Sequence, residues 1–364
     1  MNLKQIIKDK IIQKASPIGF DEFMDMALYQ PGLGYYSSGT PKFGYQGDFI
    51  TAPETSDLFG YTLARQCAEV MNGDNDVIEF GAGTGILATQ ILFELARLDK
   101  LPNRYLILEL SAELRLRQKH TISKVLPELI NKVVWLDYLP SEFSGVVIAN
   151  EVLDAMPAKR IIYKVNKFYE IGVNYENGEF CWKSFERPYV NHKSPLPANV
   201  DSGYITEMNY RSMAWIDSLY GSLSEALVLL IDYGMSRTEY FNPHRVDGTL
   251  RCYHLHKSSD NPFENIGEQD ITVSVNFSDI ADQALESGFK VEGYATQAMF
   301  LISLGIDQYL SAEADKSKRI NLTQQVKQLV LPDAMGESFK VLALTKNLSA
   351  NLKGFREQDL RYKL

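Results

Sequence analysis

The sequence predicts an α/β fold built on a doubly wound parallel sheet, and three observations support that prediction. From Val77 onward, short apolar segments alternate with segments of helical periodicity. A turn with three glycines, residues 81–85, joins the first apolar segment to the first helical one. Hydrophobic residues make up 45% of the 364 residues, enough for a sizeable core. Strands separated by helices at this interval are typical of parallel βαβ units.

Local periodicity assigns the elements in order. Helices are expected at 3–14, 21–29 and 57–71, and the Gly-, Tyr- and Pro-rich segment 31–53 predicts a functional loop or lid. An Asn177-Gly178 pair predicts a hairpin turn inside an antiparallel insertion at 163–185. In the alternating part, strands are expected at 77–80, 105–110, 133–136, 145–149, 227–233, 290–294 and 339–345, and helices at 86–98, 112–125, 210–219, 279–287 and from Thr296.

Composition narrows the possible partners. A net charge of −9 disfavours nucleic acid and suits a positively charged protein partner. Three widely spaced cysteines, with no C-x-x-C pair, are expected to be reduced thiols of a cytoplasmic protein. No stretch approaches the roughly 20 apolar residues of a membrane span, so no membrane insertion is expected. A homodimer is compatible with these observations.

The glycine turn indicates a ligand at the start of a helix, because glycines let the backbone turn tightly and approach a ligand closely. The spacing is G-x-G-x-G rather than the G-x-G-x-x-G of dinucleotide sites, and Glu79 stands two residues before the first glycine. A pyrophosphate favours N–H groups over a nearby carboxylate. We therefore expect S-adenosyl-L-methionine, which carries an amine, to be bound through Glu79, Gly81, Gly83 and Gly85.

Two further acids follow the next strands. Glu109 ends the second strand, where a carboxylate can accept both ribose hydroxyls of a nucleoside. The alternative is a strand-end acid that caps the next helix. Asp137, just past the third strand, is placed to accept from the adenine amino group, or else is a solvated turn residue.

The fourth strand ends in the run 150–155, which predicts the acceptor side of the site. Asn150, Glu151 and Asp154 supply an amide and two carboxylates that could hold a guanidinium or amine by charge-assisted hydrogen bonds. Transfer of a sulfonium methyl group to such a nitrogen is mainly a task of positioning. Asp154 could instead cap the following turn.

Two other segments are expected to line the cleft. The polar and aromatic segment 47–54 predicts a lid or substrate loop, or an Asx-type turn before a helix. Asp232 and Tyr233 end the fifth strand. The two histidines of 248–256 have no carboxylate or cysteine at ligand spacing, and we expect no metal. The expected lid and substrate residues are Asp48, Phe49, Thr51, Pro53, Glu54, Asp232 and Tyr233.

Together these motifs resemble the MidA-like class I methyltransferases, a family that includes the mitochondrial complex I assembly-factor arginine methyltransferase. The resemblance implies a seven-stranded class I (Rossmann-like) sheet, S-adenosyl-L-methionine as methyl donor, and symmetric dimethylation of an arginine in a protein partner, such as a subunit of a respiratory complex I. The motifs that carry it are residues 29–36, 47–54, 79–85, 150–155, 232–234 and 296–301.

We accordingly predict a protein arginine methyltransferase. The second hypothesis is a non-catalytic assembly factor or chaperone that keeps the fold and docks through the insertion, and a dinucleotide enzyme is a third. The expected segments are an N-terminal helical extension with the lid loop (1–72), a donor-binding α/β half (73–157), a β-rich insertion on the substrate or partner side (158–222) and a C-terminal α/β half that completes the sheet (223–364).

Overall fold

The computed structural model describes residues 2–38, 51–190, 195–197 and 199–364. The chain divides into two compact units that interleave along the sequence. The first, here called the hairpin unit, comprises the described residues within 1–49, 153–215 and 235–279. The second, the sheet unit, comprises those within 50–152, 216–234 and 280–364. The four consecutive segments expected from the sequence stay a prediction.

The elements of the described residues are numbered in chain order. The α-helices are α1 (Leu3–Lys14), α2 (Phe20–Tyr29), α3 (Ala52–Thr55), α4 (Asp57–Ala68), α5 (Ile86–Arg97), α6 (Ala112–Val125), α7 (Tyr210–Ser222), α8 (Arg237–Tyr240), α9 (Phe277–Ser287), α10 (Gln297–Ser303), α11 (Ile306–Ala312) and α12 (Lys316–Val330). The strands are β1 (Ile18–Gly19), β2 (Asp76–Phe80), β3 (Tyr105–Leu108), β4 (Val133–Leu136), β5 (Phe143–Asn150), β6 (Lys159–Lys164), β7 (Lys167–Glu176), β8 (Glu179–Pro188), β9 (Ile205–Met208), β10 (Leu223–Met235), β11 (Arg251–His254), β12 (Lys257–Ser259), β13 (Asp270–Thr272), β14 (Val275–Asn276), β15 (Lys290–Thr296) and β16 (Phe339–Lys346).

The sheet unit contains the predicted doubly wound sheet. Seven strands lie side by side in the order β15-β16-β10-β5-β2-β3-β4. The strands from β10 to β4 pair in parallel, and β16 is antiparallel to both β10 and β15. The α/β fold class predicted from the sequence is confirmed.

The middle of this sheet is fully buried, which explains its continuous apolar runs. Every residue of β2 is buried, including Asp76 and Glu79. Helix α5 buries Leu87, Ile91 and Leu95 in the same core, at the spacing of one helical face. The core therefore holds β2 in place, and with it the glycine turn that follows.

The hairpin unit contains the predicted antiparallel insertion. Strands β7 and β8 pair across a turn in which Asn177 has φ 52° and Gly178 has φ 93°. Two consecutive residues with positive φ are what a two-residue turn of type I′ requires, and Asn-Gly adopts them most readily. The turn thereby fixes the register of the insertion.

The structure adds elements that periodicity did not predict. Residues 52–55, assigned in part to the irregular segment, form α3. Helices α11 and α12 follow α10, and α12 buries only Val326 and Leu329, so its apolar pattern is sparse. In the described part of the chain, no helix is long and apolar enough to cross a membrane.

Candidate functional site

The parallel registers bring the predicted strand-end residues to one edge of the sheet. Phe80 is paired with Leu108 and Ala149, Leu108 is paired with Leu136, and Ile231 is paired with Asn150. The residues that follow these positions therefore lie at the carboxyl ends of neighbouring strands, where open α/β sheets bind their ligands. This edge carries Gly81, Glu109, Asp137, Glu151 and Asp232.

The glycine turn has a backbone that side chains rarely permit. Gly81, Gly83 and Gly85 have φ values of 60°, 52° and 83°, all in the left-handed region. A Cβ on Gly81 would lie 3.6 Å from Val152 Cγ2, within the space along the edge. A Cβ on Gly85 would lie 3.0 Å from the Cα of Gln118, so helix α6 packs directly against the turn. The turn thus exposes backbone where a ligand can approach and is supported from behind.

Glu79 is held inside the sheet. Its side chain is buried and accepts a hydrogen bond of 2.7 Å from the Tyr105 hydroxyl. Burial raises the pKa of Glu79 to about 7, the Tyr105 bond lowers it, and the nearby Glu109 raises it. The structure therefore gives Glu79 a partner within the protein, and its contact with the donor stays a prediction.

Glu109 is a buried carboxylate at the carboxyl edge of the sheet, and only 6% of the residue is exposed. It accepts hydrogen bonds from the Ser111 backbone N–H (2.9 Å) and from Gln118 Nε2 (3.0 Å). Burial raises its pKa, while these bonds and the charge of Arg115 lower it. The bond to Ser111 also supports the start of α6, so Glu109 combines its predicted ligand position with the capping alternative.

Asp137 has a different setting from Glu109, since its side chain is 78% exposed. It forms an ion pair of 2.7 Å with Arg115. The same guanidinium donates to the carbonyl oxygens of Glu109 (2.7 Å) and Leu136 (2.6 Å). Arg115 thereby ties the ends of β3 and β4 together, and the adenine role of Asp137 stays a prediction.

Asn150 and Glu151 form a hydrogen-bonded pair at the end of β5, and the backbone of Glu151 is strained. Glu151 has φ 54°, which costs a non-glycine residue on the order of 1 kcal/mol. Its backbone N–H donates to Ile231 O at 2.8 Å, and Asn150 Nδ2 donates to Glu151 Oε1 at 3.2 Å. Asn150 Oδ1 is buried, and the described residues supply no hydrogen-bond partner for it. A strained backbone at Glu151 beside an acceptor with unused capacity is compatible with a binding site at this edge.

Part of the predicted substrate loop is attached to the glycine turn. Thr84 Oγ1 donates to Glu54 Oε1 at 2.5 Å, and the amide of Gln90 donates to Pro53 O at 2.8 Å. Thr51 caps α3, and its carbonyl accepts from the Glu54 N–H. Asp48 and Phe49 lie outside the described residues.

The remaining predicted residues divide between the two units. Asp232 is buried at the end of β10 and accepts from the Tyr233 N–H at 2.9 Å. Asp154 belongs to the hairpin unit, where it is buried and its carbonyl accepts from Val273 N–H at 3.0 Å. There Asn209 donates to the carbonyls of Leu153 and Met156 and holds the turn around Asp154.

The sequence reasoning missed three residues that organise the site: Tyr105, Arg115 and Gln118. Each stands inside a strand or helix pattern, and no local motif marks it. Only the folded sheet shows that their polar groups meet Glu79, Asp137 and Glu109.

A glycine turn between β2 and α5 and a buried acid after β3 are the two features that a nucleoside-containing donor requires. The turn lets the ligand approach the backbone, and the acid can accept from the ribose hydroxyls. The chain belongs to a family of S-adenosyl-L-methionine-dependent methyltransferases, whose model matches residues 62–295. S-adenosyl-L-methionine is accordingly its donor, as the glycine turn predicted.

Particular relatives agree with that family. The chain is similar to a COG1565 superfamily member from Burkholderia thailandensis bound to S-adenosyl-homocysteine, with 37% identity, a TM-score of 0.94, and coverage of 100% of this chain and 96% of that one. It is 27% identical to the mitochondrial protein arginine methyltransferase NDUFAF7 homolog of Caenorhabditis elegans, over 94% of this chain and 86% of that protein. It is 26% identical to human mitochondrial protein arginine methyltransferase NDUFAF7, over 95% of this chain and 84% of that protein.

Proposed function

We propose that this methyltransferase transfers the methyl group to a side-chain nitrogen of an arginine in a protein partner. The observation that carries the proposal is the Asn150–Glu151 pair, a carboxylate and an amide oxygen at the same sheet edge as the glycine turn. The printed names of the relatives at 26% and 27% identity, protein arginine methyltransferases, support it.

The donor would be held by residues of the sheet unit alone. The donor would pack against the backbone of the glycine turn, where the N–H groups of Gly81 and Gly85 already donate to Leu108 O and Ala82 O. Glu109 would accept from the ribose hydroxyls. When bound, the donor supplies a methyl group on a positively charged sulfur. Burial of Glu109 strengthens its hydrogen bonds to the ribose, because water competes less for a carboxylate away from bulk solvent.

The acceptor would be recognised by oxygen atoms, which suits a guanidinium. An arginine side chain carries five N–H donors in a plane and no acceptor, so it needs carboxylate and amide oxygens around it. Glu151 supplies the carboxylate, and Asn150 Oδ1 supplies a buried acceptor. Asp232 and Tyr233, in the same unit, are proposed to complete the acceptor side.

Glu151 then has two tasks in the transfer. It orients the guanidinium so that one nitrogen lies in line with the methyl–sulfur bond, which is the main requirement of the reaction. As the nitrogen–carbon bond forms, the carbon–sulfur bond breaks and its electron pair stays on sulfur. The nitrogen loses one proton, which the Glu151 carboxylate accepts and passes to solvent. Repetition on the second terminal nitrogen would give the symmetric dimethylation expected from the family resemblance.

The test compares methylated peptides from cells that contain the wild type, no protein, or the Glu151→Gln variant. We expect a protein arginine mark present only with the wild type, with a respiratory complex I-type subunit as the first candidate substrate. In vitro, Glu151→Gln should lower kcat at least 100-fold while S-adenosyl-homocysteine affinity by calorimetry changes less than about threefold.

Three results would count against the proposal. The first is a mark that persists with Glu151→Gln, and the second is a mark on a residue other than arginine. The third is full cellular function with Glu151→Gln in the absence of any mark, which would favour the non-catalytic assembly factor. Glu69→Gln is a matched control, because Glu69 bonds Lys353 in the sheet unit away from the carboxyl edge.

A further inference from the structure

One side chain connects three separate parts of the donor pocket. Gln118, in the middle of α6, is fully buried. Its Nε2 donates to Gly83 O (3.1 Å) and to Glu109 Oε2 (3.0 Å), and its Oε1 accepts from Trp135 Nε1 (2.9 Å). The glycine turn, the end of β3 and strand β4 therefore meet at a single amide group.

The geometry leaves this amide a single orientation. Its two N–H bonds have two acceptors, and its oxygen has a donor, so rotation by half a turn would put like groups together. The close approach of α6 to Gly85 holds the Cα of Gln118 in place. Buried polar groups that are fully satisfied in this way specify one arrangement, and loss of one partner leaves the others unsatisfied.

The contact with Gly83 also fixes the direction of a hydrogen-bond donor in the turn, the backbone N–H of Thr84. The C=O and N–H of a trans peptide point in opposite directions. A hydrogen bond that fixes Gly83 O consequently fixes the direction of the Thr84 N–H on the other side of the same peptide plane. The Glu54 bond to the Thr84 hydroxyl restrains that residue from its side chain.

We propose that Gln118 is the positioning residue of the donor site, which orients the glycine turn and the Glu109 carboxylate toward each other through one amide. The proposal rests on Glu109 holding the ribose. Gln118 does not contact the reacting atoms; it acts through Gly83 and Glu109.

The hydrogen bond from the Gln118 amide also favours the ionised form of the Glu109 carboxyl. Burial raises the pKa of Glu109, and the hydrogen bonds from Ser111 and Gln118 lower it. Two other charged groups face Glu109. The charge of Arg115 lowers the pKa of Glu109, and the carboxylates of Glu79 and Glu109 repel each other. Without the amide, the Glu109 carboxyl becomes protonated at a higher pH, and a protonated carboxyl loses one acceptor for the ribose.

The experiment is calorimetric titration of the full chain with S-adenosyl-homocysteine between pH 6 and 9. The variants are Gln118→Met, which keeps the volume without the amide, and Glu109→Ala. Gln66→Met is the control, because Gln66 is likewise buried and bonded at both ends, to Glu69 and Gly354. We expect Gln118→Met to weaken binding about tenfold at pH 8, with a further loss on acidification that begins at a higher pH than in the wild type. Gln66→Met should keep the wild-type affinity and pH profile.

Three outcomes would overturn the inference. If Gln118→Met binds within twofold of wild type across the pH range while Glu109→Ala does not bind, Gln118 has no positioning role. If Glu109→Ala binds normally, the proposed role of Glu109 is wrong, and so is the positioning role of Gln118 that depends on it. If Gln118→Met does not fold, Trp135→Phe replaces it, because loss of the indole N–H frees the Gln118 amide. That variant should weaken binding two- to fivefold, and unchanged binding would equally overturn the inference.

Discussion

Glu79 is a buried carboxylate whose pKa lies well above its ordinary value. It lies in a strand with every residue buried, and its hydrogen bond to Tyr105 offsets only part of the cost of burying a charge. The consequence is a pKa of about 7 in the folded protein, against an ordinary value of 4.5. The folded state therefore holds this proton in a pH range where the unfolded chain releases it.

This difference predicts a pH-dependent stability that the Glu79→Gln variant lacks. Because the folded pKa is raised, the free energy of unfolding falls as the pH rises from about 4.5 through about 7. Between pH 5.5 and 8.5 the wild type should lose about 2 kcal/mol through Glu79, at about 1.4 kcal/mol per pKa unit. Glu79→Gln, whose amide oxygen still accepts from Tyr105, should lose less by that amount. Urea unfolding without donor at both pH values measures the free energy of unfolding of the two proteins. An equal change between the two pH values in the wild type and in Glu79→Gln would contradict the prediction.

Single residues at the strand ends were predictable, but their partners were not. An apolar run predicts a strand, and in a parallel sheet the residues that end each strand lie at the carboxyl edge. This places Glu109, Asn150 and Glu151 at that edge from the sequence alone. The pairing of Asp137 with Arg115 depends on the rotation of α6 about its axis. The apolar residues of this polar helix do not indicate that rotation, because Leu116 and Val125 are exposed whereas Gln118 is buried.

At the scale of elements, the β7–β8 hairpin depends on the conformation of its turn. Gly178 has φ 93°, and in the described part of the chain no atom lies within 4 Å of where its Cβ would be. A substitution there meets no steric obstacle from neighbours, so its whole cost is backbone strain.

Gly178→Ala should accordingly lower the free energy of unfolding by about 1 kcal/mol. Gly221→Ala is a matched control, since that glycine also has open space among the described residues but lies in α7 without a positive φ. Alanine there should be neutral or stabilising by about 0.5 kcal/mol. Urea unfolding of both variants decides the matter, and equal effects of the two substitutions would show that the turn conformation is not what the hairpin requires.

The helices and turns differ in how clearly the sequence predicts them. The Asn-Gly turn was predictable because few residue pairs adopt two positive φ values. Helix α12 was not, because it packs against the core through only two buried side chains and reads as a polar segment. The short α3 follows a proline-containing segment whose irregular composition masked it.

At the scale of the whole molecule, donor binding is expected to act on one unit. All proposed donor residues, from Glu79 to Glu109, belong to the sheet unit. Hydrogen exchange with S-adenosyl-homocysteine should show protection at residues 81–85 and 109–111 and none at the hairpin turn 176–179. At a ligand concentration of 100 times Kd, the sheet unit should gain about 2.7 kcal/mol of stability. Protection confined to the hairpin unit would contradict the assignment of the donor site.

The division into units could not be read from the sequence. Among the described residues, contacts group three separate stretches of the chain into each unit. Pairings such as that of β1 with β7 join residues far apart in the chain, and a two-residue strand leaves no periodic pattern to indicate its partner.

The antiparallel strand β16 has a consequence for synthesis on the ribosome. It pairs with β10 from Tyr233 to Ala226, yet it begins only at Phe339. At about 5–20 residues per second, β10 waits on the order of ten seconds for this neighbour. During that wait an apolar strand presents an open edge, which is a template for pairing with another nascent chain. The yield of folded enzyme should therefore depend on whatever shields this edge in the cell until translation reaches the last strand.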